Sequence, residues 1–62
     1  MSASLYRAHL VDGTTKRVKV TTLPGALYVE GDRYTCDAAE AVAAYGRSRG
    51  WVVVGVTAPG AR

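Results

Sequence analysis

Only one stretch of this 62-residue chain is patterned as helix, and that limits what the chain can become. Residues 37–48 carry alanines at 38, 39, 41, 43 and 44, the strongest helix formers. Ala38, Ala41, Val42 and Tyr45 recur at helical spacing and define a face to be buried. The rest of the chain is patterned as strand and turn. A single helix covers one face of one sheet. The other face then curls into a barrel, meets water or meets another chain.

The strand signals come from period-two alternation. In residues 5–11, Tyr6, Ala8 and Leu10 alternate with Leu5, Arg7, His9 and Val11. Asp12-Gly13 tolerates positive φ and supplies a hairpin turn. Residues 16–23 return, with Val18, Val20 and Thr22 on one side and Arg17, Lys19 and Thr21 on the other. Pro24-Gly25 suits a type II turn. Residues 26–30 and 33–36 form a second hairpin around Gly31-Asp32, with glycine first as in type II′.

Asp37 then caps the helix, and Glu40 completes a capping-box-like pair. Gly46 and Gly50 both offer a stop, and Arg47 and Arg49 suit the negative end of the helix dipole. Residues 51–57 form the last strand. Val52, Val54 and Val56 line one face, and Trp51, Val53 and Gly55 the other. Both faces are apolar, so this strand reads as central or covered on both sides.

The expected fold is therefore α+β, one domain over residues 1–62. An antiparallel meander of short strands precedes one helix at about 37–48 and a final strand at about 51–57. The order is β-β-β-β-α-β, as an open sheet or a small barrel. Residues 58–62 read as a short, flexible, breaker-rich tail.

Domains this small usually need a disulfide, a metal or a partner to stay folded. Cys36 is the only cysteine and His9 the only histidine, so neither an internal disulfide nor a histidine-rich metal cage is available. No cofactor is expected, and a protein partner or self-association remains. The lone cysteine fits a reducing compartment. No secretory leader pattern is present, and the longest apolar run, residues 51–56, falls far short of the ~20 residues of a membrane span. The expected location is cytoplasmic, the interior of a virus particle included, with no membrane contact.

Catalytic equipment is sparse. Cys36 precedes the helix start, where a thiolate is stabilised, but no base or resolving cysteine accompanies it. Its alternation with Tyr34 fits a small buried hydrophobe. His9 sits mid-strand, and Asp12, Glu30, Asp32, Asp37 and Glu40 show no catalytic spacing. Ser2, Ser4 and Ser48 lie in no nucleophile motif, and residues 46–50 match no phosphate-binding loop. The chain reads as a non-enzyme with no small-molecule substrate.

Two functions fit this reading. The first is a non-enzymatic interaction or structural protein. It would be a small accessory subunit, virus- or phage-like, that docks on or within a larger assembly or covers a partner's site. Leu5, Val11, Trp51 and Val53 are its candidate contacts, with Ala39 and Ala43 on a small-residue stripe of the helix. The second is a small basic nucleic-acid binder using the outward face of the first hairpin. Its candidates are Arg7, His9, Lys16, Arg17, Lys19 and Arg33, in a chain of net charge +3. Solvated lysines and arginines that keep a sheet soluble are the plainer account of the same residues.

Overall fold

The computed structural model describes residues 2–60. Its elements are β1 (Ser2–Leu10), β2 (Thr15–Leu23), β3 (Ala26–Val29), β4 (Asp32–Tyr34), α1 (Ala38–Ser48) and β5 (Val53–Thr57). The strands form one open antiparallel sheet in the order β4-β3-β2-β1-β5. The α+β fold and the order β-β-β-β-α-β are as the sequence implies, and the sheet does not close into a barrel.

α1 lies across one face of the sheet and contacts four of the five strands. The core forms where they meet: Ala8, Val18, Val20 and Val29 from the sheet, and Ala41, Val42 and Tyr45 from the helix. These are the residues that period two and period 3.6 turn toward each other. Burying each valine side chain contributes about 1.5–3 kcal/mol.

The turns are where local chemistry and structure part. The β1–β2 connection spans residues 11–14 and contains the expected Asp12-Gly13, closed by Leu10 N–H to Thr14 O (2.8 Å) and Gly13 N–H to Leu10 O (3.0 Å). Asp12 Oδ1 accepts the Thr14 N–H at 2.9 Å. That hydrogen bond holds the Asp12 carboxyl below its usual range. Pro24-Gly25 turns as expected, with Gly25 at φ +81°. The next hairpin is shifted by one residue from the Gly31-Asp32 expectation. Val29 pairs with Asp32, so the loop is Glu30-Gly31, with both residues at positive φ. Glu30 tolerates this because two bonds tie it to β2. Its N–H donates to Lys19 O (3.0 Å), and its Oε2 accepts the Lys19 N–H (2.7 Å).

Asp37 occupies the N-cap position of α1, but its side chain makes no capping hydrogen bond, so the expected capping box is not formed. The other end is firmly closed. Trp51 N–H donates to Gly46 O (2.9 Å) and Gly50 N–H to Arg47 O (3.0 Å), with Gly50 at φ +85°. This is a Schellman motif, and it selects Gly50 over Gly46 as the stop.

Gly46 has a different task. It is buried in the last turns of α1, facing the sheet. A Cβ there would lie 2.6 Å from Val53 Cγ2 and 3.0 Å from Trp51 Cε3. Glycine lets the helix approach β5 more closely than alanine would.

β5 departs most from expectation. It is an edge strand, paired only with β1 on one side, rather than central or covered on both faces. A bulge sets Leu10 opposite Val53 and His9 opposite Gly55, leaving Val54 as the extra residue. Val53 and Val56 therefore both pack toward the core, although strict alternation puts them on opposite faces. Val52 and Val54 are left 62% and 64% exposed.

Two outcomes follow. Gly46→Ala gains about 1 kcal/mol of helix propensity but overpacks Val53, and urea unfolding should show net destabilisation of about 1–2 kcal/mol. Adding Val53→Ala should recover part of that loss, since the clash is with its side chain. In an NMR titration, Asp12 should protonate below an unstructured aspartate. Its depressed folded pKa makes its stabilising effect present above the unfolded value and lost as pH falls through the folded one.

Candidate nucleic-acid interface

The sheet face away from α1 is built by the residues that alternate with the core. Pairing sets them in rows across the strands. Arg33, Tyr28, Thr21 and Ala3 form one row; Lys19 and Leu5 form the next. Arg17, Arg7 and Thr57 follow, then Thr15, His9 and Gly55. Rows are about 6.8 Å apart, two residues along a strand. Arg33, Lys19, Arg17 and Arg7 thus trace a cationic diagonal over β4, β2 and β1, and all four are exposed.

Arg7 and Arg17 are directly opposed. Like charges in such a cross-strand pair, with Cβ atoms about 5 Å apart, destabilise a sheet. Arg7's neighbour on the other side is the neutral Thr57. Glu30 is the acid at the rim of this face, and its carboxylate is engaged by the Lys19 N–H.

The surface is contoured. Leu5, Arg7, Thr15 and Arg17, with Pro59 and Gly60, line a shallow depression. A second depression is lined by Lys19, Thr21, Tyr28, Glu30 and Gly31. Tyr28 is half-buried, beside Arg33. His9 is held in place rather than free. Its Nε2 shares a hydrogen bond with the Thr57 hydroxyl, and its Nδ1 lies 3.4 Å from Thr15 Oγ1. The ring lies against Gly55, where a Cβ would make an ordinary 3.9 Å contact with His9 Cδ2.

Five of the six basic candidates share this face: Arg7, His9, Arg17, Lys19 and Arg33. Lys16 does not. It pairs with Ala8 on the helix side, and its Nζ lies 5.8 Å from the centroid of the Trp51 ring. Its even position, against the odd positions of Arg17 and Lys19, is the sequence signal for that separation.

The candidate protein contacts are scattered. Leu5 is 52% exposed and shares the basic face, while Val11 is 68% exposed in the β1–β2 loop. Ala39 is exposed and Ala43 half-buried on α1. Trp51 packs edge-on against Tyr45, with ring centroids 5.9 Å apart, and Val53 faces Gly46. Their apolar surface is largely used by the chain's own core. Period two sets Val52 and Val54 together, but with both faces of the segment apolar it did not single them out as exposed; the edge position of β5 decides that.

The sheet separates the one nucleophile and base the sequence offers. His9 lies on the open face, and Cys36 packs against the core on the helix side. Among the described residues, no three histidine, cysteine or acidic side chains gather as a metal site. Among them, too, no helix is long and apolar enough to cross a membrane. No protein-family model, curated protein or solved structure matches this chain.

The opposed arginines carry a prediction of their own. Arg17→Thr should stabilise the free protein by about 0.2–1 kcal/mol at low salt. The gain should shrink at high salt, where the repulsion is screened. Thermal melts of both proteins across a salt series would read this.

Proposed function

We propose that this chain is a non-enzymatic binding module that holds single-stranded nucleic acid on the uncovered face of its sheet. The observation that carries the reading is the cationic diagonal Arg33–Lys19–Arg17–Arg7 on a face left open by a fold with one helix. A sheet that only needed solubility would gain from mixing charges of both signs, whereas this one opposes two arginines. A phosphate backbone crossing the diagonal would relieve that repulsion and release counterions. Tyr28 beside Arg33 supplies an aromatic ring on which a base can stack, which suits a splayed strand better than a closed duplex. The shallow depression lined by Leu5 beside the arginine pair suits a flexible strand for the same reason.

A protein-contact role is favoured by a separate observation. Val11, Val52 and Val54 are exposed at the β5 side of the molecule. This apolar surface is distinct from the arginine pair and compatible with a docking accessory subunit.

The test is a fluorescence-anisotropy titration with a labelled single-stranded oligonucleotide and the matching duplex. Four phosphate contacts predict that log K falls with log salt at a slope of about −3 for the single strand. Arg17→Glu with Lys19→Glu should weaken binding by more than about 100-fold at low salt, two charge-assisted contacts being worth roughly 3 kcal/mol or more. Tyr28→Ala should cost about 1–3 kcal/mol. Absence of binding at low salt, or binding indifferent to the double charge reversal, would rule the surface out. Preference for the duplex would overturn the single-strand assignment.

A further inference from the structure

The free edge of β5 carries the second inference. Sheets have two edges, and this protein treats them differently. β4 is three residues long and carries Asp32 and Arg33, the short and charged form that discourages pairing. β5 is five residues long, Val-Val-Gly-Val-Thr, and carries no charge. The uncharged stretch runs from Gly50 to Ala61, although 13 of the 62 residues are charged. Proline, another common guard of an edge, comes only after the strand, at Pro59, which leaves the bulge at Val54 as the one guard on β5 itself. The bulge turns Val53 and Val56 to the core and leaves Val54 exposed, with Val52 beside it.

We propose that β5 pairs antiparallel with β5 of a second copy, joining two sheets into one ten-stranded sheet about a two-fold axis. Charge distribution argues for a second copy as the occupant. Two molecules of net charge +3 repel wherever their basic surfaces meet, and β5 is the edge where they approach without a facing charge. Pairing β5 with β4 would be heterologous and would propagate into a filament, whereas β5 with β5 closes after two chains. The geometry has a consequence for the open face. An antiparallel strand pair has its two-fold axis perpendicular to the sheet, so both helices lie on one side and both cationic diagonals on the other. With strands about 4.8 Å apart, three spacings separate the two β1 strands, about 14 Å in all. The two arginine pairs would flank the axis on one surface.

Light scattering coupled to size exclusion, over a concentration series of the wild-type chain, tests this with no nucleic acid present. The expected result is a mass rising to twice that of the chain and no further. Val54→Lys places two like charges near the axis at an exposed position and should weaken dimerisation at least about tenfold, with helical circular dichroism unchanged. Amide exchange on the free side of β5 should slow as wild-type concentration rises. A chain that stays monomeric throughout, a dimer untouched by Val54→Lys, or a mass that grows past two chains would each overturn the proposal. The oligonucleotide titration reads the basic face separately, so either idea can fail without the other.

Discussion

The close approach of α1 to the sheet at Gly46 is the contact on which the rest of the structure rests. A methyl group there would collide with Val53 and Trp51, so the helix lies over β5 and β1 at a distance only glycine permits. From that seat α1 turns Ala41, Val42 and Tyr45 onto Ala8, Val18, Val20 and Val29. The Schellman close at Gly50 then delivers Trp51 against Tyr45 and starts β5 in the right place. Helix propensity is given up at one position to gain the packing that makes a core from so short a chain.

Having one helix leaves half the sheet surface uncovered, and the chain populates that surface in a way stability alone does not favour. Arg7 opposite Arg17 is a repulsive pair, and Lys19 and Arg33 extend the same sign across the sheet. Local arrangements that cost stability are often found at functional surfaces, because they are relieved only when a ligand arrives. The pinned His9, bonded toward Thr57 on β5 and Thr15 on β2, steadies the strands beneath this charge. The two sheet edges show the same division of labour, one short and charged, the other longer, uncharged and bulged.

Much of the architecture was legible in the sequence because it rests on local rules. Period two placed Val18 and Val20 inward and Arg17 and Lys19 outward, and the alanines of residues 38–44 marked the helix. The same alternation brought Arg7, His9, Arg17, Lys19 and Arg33 to one face, so most of the candidate site could be read before any packing was known. What escaped depended on contacts between distant segments. The position of β5 at an edge follows from its pairing with β1, which places it some forty residues away in sequence from its only neighbour. The bulge at Val54 swaps the faces of the residues that follow it, turning Gly55 to the open face and Val56 to the core, and period two carries no mark of it. The turn at Glu30-Gly31 also escaped. The positive φ of Glu30 is supported by its two bonds to Lys19, eleven residues earlier. By itself, then, the sequence determined the elements, their order and the sign of the open face, since these follow from side-chain alternation and backbone preference. The tertiary structure alone decided strand order, the exposed valines and the role of Gly46, because each depends on which remote atoms come into van der Waals contact once the helix is seated.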